Sequence, residues 1–442
     1  MSASLYGERG AAALAARAGR PGPLSPPVVT RPAGIDSTGT ADHTVVTLGQ
    51  CMRIALALTP RGRGPFREQA SEVLARQRAI LAQQPQRMSV TCQTVFLREA
   101  RDEAVFTEAW ARCCGPEVPV TSFVLQPPCG GAGLALEAWA VGGPAVRVER
   151  CGPHAVAVSY DGLRWVHCGG VRAPERVGGA YEQTVAVLEA MKEVLAGAGT
   201  GLDRVVRTWF YLGGITAPEG EGYRYQQLNR ARADAYRGVH FGHPRRQGDA
   251  AEPLYPASTG IGMAGDGLVM SCLALDTQRQ DVGLLPLENP QQTPAYAYDP
   301  QNSGRSPTFS RAMALVTGDC LTTWISGTAS IVTSESCHPA DIEKQTEQTI
   351  ENIERLIAPA NFEAHGVPGA GNGLRDLTRV RVYLKRAEHL ARCRAICQGR
   401  FGAVPTTFAV ADVCRPELLV EIEGAAFSRC APLERPGAAT PG

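Results

Sequence analysis

The chain has 442 residues, 44% hydrophobic and 20% charged, with 44 basic against 43 acidic residues and a net charge of +1. That balance argues against a basic nucleic-acid footprint and against an acidic solvating tail, and the length allows one large domain or two to three small ones. No apolar run reaches the ~18 to 20 residues of a membrane span. The 14 cysteines include no CxxC pair and no His partner at zinc spacing. No secretory apolar segment precedes them, so reduced thiols in a cytoplasm are expected, with no metal and no organic cofactor. Only Lys192, Lys344 and Lys385 are lysines, so nearly all the basic residues are Arg. Beside the many alanines this reads as a compositional bias rather than as an anion-binding surface.

Residues 1–42 are rich in Ala, Gly, Pro and Arg without periodicity, and a disordered arm is expected there. From residue 43 onward the chain repeats three times. Each unit opens with two alternating apolar runs: TVVTLG and MRIALAL, then HAVAVSY and LRWVHCGG, then AMALVTG and LTTWISGTASI. Period-two alternation predicts half-buried strands. A helix beginning Glu-Gln-Ala/Thr follows, over 66–81, 180–195 and 345–357, with apolar residues at three- and four-residue spacing. Short apolar strands come next, over 91–97, 207–212 and 379–384. In the third unit the Gly/Pro-rich HGVPGAGNG (365–373) lengthens the link between helix and strand and reads as a loop. A second helix, a Pro and small-hydroxyl stretch and a last strand complete each unit.

The expected architecture is α/β (α+β): three tandem lobes over 43–143, 150–277 and 307–430, each a mixed sheet with helices on one face. The three bare sheet faces must be buried, and packing them on one another around a pseudo-threefold axis does so within one chain. The stretch 278–306 is expected to be a connector laid over the surface, and 431–442 a disordered tail.

The order helix, strand, helix, Pro-x-x-Ser/Thr, VEIE resembles the reactive-intermediate deaminase (Rid-like, chorismate-mutase-like) lobe, whose short chains form trimers with active clefts between subunits. Those deaminases hold a substrate carboxylate with an Arg two residues after the Pro. Here that position is Thr121, Ser258 or Thr407, and a neutral hydroxyl cannot make the bidentate pair. Residues from about 207 to 427 resemble the chorismatases more closely, through RTWFYL, YPASTGIG, LENP, FSRA, ISGTASI, RVYLKR and ADVCRPELLVEIEG in that order. The first lobe is matched less well.

The resemblance implies cleavage of the enolpyruvyl ether of chorismate to pyruvate, with Glu421 as the acid. Aligning the repeats sets Glu421 opposite Ala135 and Val269, so it is peculiar to the third lobe, whereas Glu423 has a counterpart in Glu137. The two substrate carboxylates need cations, for which Arg311 is the first candidate and Arg381 the second. Tyr298 and Tyr255 are candidates for the ring pocket. Chorismatases that form 3-hydroxybenzoate have Gly and Cys where this chain has Gly327 and Cys414, and those that hydrolyse chorismate to a diol acid have Ala at both. Changing both residues to Ala is therefore expected to keep activity and shift the product toward the diol acid. The alternatives are a Rid-like hydrolase or deaminase of another small carboxylate, or a non-catalytic metabolite-binding scaffold. The expected partner is a small molecule, with no nucleic acid, no membrane and no obligate protein partner.

Overall fold

Alternation sets the first two strands of each unit. In His43–Leu48 every second residue is buried, and Cys51–Leu58 returns antiparallel beside it. Ala155–Tyr160 and Leu163–Arg172 turn through Asp161 and Gly162, both at positive φ, as a tight two-residue hairpin turn requires. Ala312–Thr317 and Cys320–Ala329 form the third hairpin. These pairings belong to a computed structural model that describes residues 28–30, 41–174, 178–242, 245–246, 253–298 and 306–433.

The amphipathic helices run over Phe66–Ala82, Ala180–Gly197 and Ile342–Ile357. The third is capped by Asp341, whose side chain accepts from the Lys344 backbone N–H, one of the donors a helix start leaves unsatisfied. Second helices follow at Asp102–Cys114, Arg224–Ala235 and Leu390–Phe401. The last strand of each unit, Leu134–Gly142, Leu268–Thr277 or Val420–Arg429, inserts between the hairpin and the strand that follows the first helix. Helices and sheet enclose a separate apolar core in each unit.

Two expectations are corrected. The connector does not lie over the surface, because Val282–Leu287 is a fully buried strand paired with Ala312–Thr317. Its Pro286 and the surrounding Pro/Gln-rich sequence suggested a loop, but a proline is tolerated where one side of a strand is unpaired. Within the presumed arm, Val28–Thr30 pairs with Val45–Thr47; residues 1–27 and 31–40 lie outside the described residues, as do 434–442 of the expected tail. With Arg147–Arg150, each hairpin thus gains a further strand on its outer side, and in the third sheet Arg245–Arg246 adds a second one beyond Val282–Leu287.

The bare sheet faces pack on one another. Phe96, Tyr211 and Tyr383, equivalent in the repeat alignment, share one cluster with Ala135 and Val269. Trp165 meets Trp324 edge-on at 5.2 Å, and Trp139 lies 6.3 Å from Phe427. Equivalent contacts recur at each junction: Ser271 with Ser122 at 2.7 Å, Glu423 with Thr259, and Glu137 with Thr407. This cyclic exchange is what a pseudo-threefold packing of three lobes requires. Among the described residues no helix is long and apolar enough to cross a membrane.

Candidate active site

Between the second and third sheets lies a cleft of about 330 Å³. Its floor is Glu421, on the Val420–Arg429 strand opposite Tyr383 and Ala329. The same register sets Ala135 opposite Phe96 and Val269 opposite Tyr211, so the equivalent positions in the other two lobes carry no acid.

Glu421 and Glu423 point to the same face and are both buried, but their surroundings differ. Glu423 is caged. Arg207 donates to it at 2.8 Å, the Trp209 indole at 3.0 Å, and Arg381 lies 3.1 Å away, with Thr259 completing the set. Burial pushes its carboxyl up, but Arg381 and Arg207 outweigh burial and hold it below the usual range. Glu421 makes no hydrogen bond or ion pair among the described residues. Burial pushes its carboxyl up to about 8, the charge of Glu423 adds to this, and Arg207 opposes it. At neutral pH Glu421 is therefore largely protonated, which is the state a general acid needs.

Gly327 explains how the acid can stand there. A bulge between Ile325 and Thr328 turns the Gly327 N–H to the Thr259 hydroxyl at 2.9 Å. A Cβ at 327 would lie 1.9 Å from Glu421 Oε1. The residue at 327 therefore meets the acid itself. Cys414 lines the same cleft. Burial pushes its thiol up to about 12, the Glu421 charge adds to this and Arg415 opposes it, so the thiol is no activated nucleophile.

Of the candidate residues, Glu421, Arg311, Tyr298, Gly327 and Cys414 come together in this cleft. The Arg311 guanidinium donates to the Tyr298 hydroxyl at 2.7 Å and to the Thr293 carbonyl at 2.9 Å, with Glu288 at 3.7 Å. Two candidates do not line it. Arg381 points to the junction of the three sheets, where it binds Glu137 at 2.6 Å, Glu423, and the hydroxyls of Tyr211 and Tyr383. Strand alternation showed that it faces inward, but not that two carboxylates already bind it there. Tyr255 packs with Tyr236, Phe241 and Tyr296 at ring distances of 6.1 to 6.4 Å, away from the cleft wall.

Sequence reasoning missed Arg232. It lies on the Arg224–Ala235 helix, 1% exposed, held by Ser258 Oγ at 3.1 Å and Asn229 Oδ1 at 2.9 Å, with no carboxylate partner among the described residues. Its guanidinium sits near the rings of Phe309 and Phe210, at 5.5 and 5.8 Å. The guanidinium arrives from a helix and rests on Ser258. Among many arginines no motif distinguishes Arg232; its only signal is spacing with Leu228, Asn229 and Ala231 on the helix's buried face. Arg415 also faces the cleft, bonded to the Ser334 carbonyl at 2.8 Å and lying 5.8 Å from the Tyr298 ring. A protonated carboxyl, three guanidinium groups and aromatic walls suit a small anionic substrate with an unsaturated ring. No group of three potential metal ligands occurs among the described residues.

Residues 137–274 match the family model of the chorismatase FkbO/Hyg5-like N-terminal domain. A 3-hydroxybenzoate synthase of Streptomyces hygroscopicus is 39% identical over 175 residues, 38% of this chain and 50% of that protein. A chorismatase of Streptomyces rapamycinicus is 36% identical over 172 residues, with the same shares. The chain thus spans about half the length of the curated relatives it matches. A chorismatase crystal structure superposes with a TM-score of 0.60 at 22% identity, covering 84% of this chain and 98% of that one. That share exceeds what residues 147–433 supply, so the likeness in fold extends into the first lobe, where the sequence resemblance is weak. The chain is similar to the chorismatases, in sequence through its middle and in fold over most of its length.

Proposed function

We propose that the protein cleaves the enolpyruvyl ether of chorismate, yielding pyruvate and 3-hydroxybenzoate. The observation that carries this reading is Glu421: a buried carboxyl raised to about 8, at the floor of a cleft that also holds Arg232, Arg311 and Arg415. Chorismate is a dianion. Arg232, which has no acid of its own, takes one carboxylate, and the Arg311–Arg415 side near Tyr298 takes the other. The names of the relatives and the Gly327/Cys414 pair support the same reading.

Glu421 donates its proton to the terminal methylene carbon of the enolpyruvyl group, leaving an oxocarbenium ion beside a new carboxylate. The C4 hydroxyl attacks C3, the C3–O bond breaks, and pyruvate leaves with its new methyl group. Glu421 accepts the proton released from that hydroxyl and returns to its starting state. Opening of the resulting epoxide at C4, with loss of the C3 hydrogen as a proton and protonation of the oxygen, gives the aromatic ring. No water is consumed. A cleft that keeps water from C3 favours this internal route by effective concentration.

The test is to add chorismate to the full-length protein, couple pyruvate to lactate dehydrogenase and resolve the aromatic products by chromatography. Pyruvate and 3-hydroxybenzoate in equal amounts are expected. Pyruvate with only the diol acid would overturn the product assignment, and no pyruvate would overturn the reaction.

A further inference from the structure

Where the bare faces of the three sheets meet lies a second cavity of about 80 Å³, distinct from the cleft. Arg53 reaches it from the first sheet, His167 and Trp209 from the second, and Trp324 and Arg379 from the third. The charges around it do not cancel. Glu137 binds Arg379 and Arg381, and Glu423 binds Arg381 and Arg207. Four buried guanidinium groups, Arg53, Arg207, Arg379 and Arg381, therefore face two carboxylates, an excess of two positive charges.

Arg53 is the member without a carboxylate bound to it; its side chain hydrogen-bonds with the Cys51 thiol. It is 8% exposed and makes no ion pair among the described residues. Its guanidinium lies 5.1 Å from the Trp165 ring centroid and 5.3 Å from that of Tyr160, both from the second sheet. Its Nε has no hydrogen-bond partner, and neither has the Nε of Arg379. Other titratable lining groups do not compensate. Burial, aided by the Arg53 charge, holds His167 neutral at about 3, and burial holds the Cys92 thiol, 3.1 Å from it, at about 11. A buried cation without a counter-charge is strongly unfavourable, and aromatic faces compensate it only in part.

We propose that this central chamber binds one small monoanion, a halide or a one-carbon oxyanion such as formate, held by Arg53 and Arg379. At about 80 Å³ against about 330 Å³ for the cleft it is the smaller of the two spaces, and its cationic lining suits such an ion better than a substituted ring. The anion ties the first sheet to the third, and through the rings stacked on Arg53 to the second. It is a structural ion at the meeting point of the lobes and takes no part in the reaction of the cleft.

The test uses the full-length protein. Its melting temperature is followed in sodium chloride, bromide or formate against sodium gluconate, a bulky and weakly coordinating anion, at equal ionic strength. The melting temperature is expected to rise by several degrees with the concentration of the small anions and to stay flat in gluconate. The response should vanish in Arg53→Met and persist in Arg232→Met, which alters only the cleft. Bromide soaked into wild-type crystals should give an anomalous peak between Arg53 and Arg379, and this decides the matter if Arg53→Met does not fold. No peak in the chamber would overturn the proposal, as would a melting response that Arg232→Met abolishes and Arg53→Met does not.

Discussion

Gly327→Ala tests the geometry of the site most directly. The backbone accepts the change, because Gly327 is not among the residues with positive φ. The added methyl would stand 1.9 Å from Glu421 Oε1, 2.8 Å from its carboxyl carbon and 3.2 Å from Thr259 Cγ2. Contact is tolerable only if the carboxyl retreats by about 1 Å or more. It is the free end of a side chain with no hydrogen bonds, so it can move without disturbing the strand, and the melting temperature should change little. The proton donor, however, is then misplaced, and a 1 Å misplacement costs on the order of 10²-fold in rate. Cys414→Ala removes a thiol from the same cleft and gives the displaced carboxyl room. The double variant should therefore recover about tenfold over Gly327→Ala alone, a coupling of about 1.4 kcal/mol, and the opened space should admit water and shift product toward the diol acid. The pyruvate assay gives the rates and chromatography the products. A single Gly327→Ala variant retaining a third of the wild-type rate, or two strictly additive changes, would refute this account.

Glu421→Gln should lower turnover by ~10²–10⁴-fold, and it should stabilise the protein at alkaline pH. The unfolded side chain loses its proton near 4.5 and the folded one near 8, so the unfolded state binds fewer protons in that window and wild-type stability falls as pH rises through it. Calorimetry from pH 5 to pH 9 should show the variant gaining over wild type by up to a few kcal/mol, at ~1.4 kcal/mol per pH unit; an equal difference at both ends would contradict a raised pKa. For the same reason, wild-type turnover should fall about tenfold per pH unit above roughly pH 8, read from kcat against pH. Arg232→Lys should raise KM for chorismate at least tenfold with a smaller effect on kcat, since an ammonium cannot make the planar two-nitrogen contact; an unchanged KM would remove Arg232 from the substrate site. Glu423→Gln should act on stability, losing ~3–5 kcal/mol in urea unfolding because Arg207 stays buried without its carboxylate partner and Arg381 keeps only Glu137; a variant as stable as wild type would show that the cage is not structural.

Local order was legible in the chain. Alternation located the three hairpins, and helical spacing placed the three first helices at or within a few residues of their observed ends. The internal repeat also distinguished Glu421 from Glu423, because a residue with a counterpart in a lobe without the catalytic set reads as structural and one without a counterpart reads as functional. These readings depend only on period and on comparison of the chain with itself, which a one-dimensional string contains. What the string lacked was the partner across each junction. Arg381 and Glu421 both point inward from adjacent strands, yet one is neutralised by Glu137 and Glu423 and the other faces an open cleft. Arg232 reached the cleft only when a helix of the second lobe came to rest on Ser258 beside the third. The raised carboxyl of Glu421 is likewise a product of assembly: desolvation and the nearby charges of Glu423 and Arg207 exist only once the sheets have packed. Periodicity acts along the chain, whereas electrostatics and burial act through space, and so the sequence determined the lobes and the tertiary structure decided the chemistry between them.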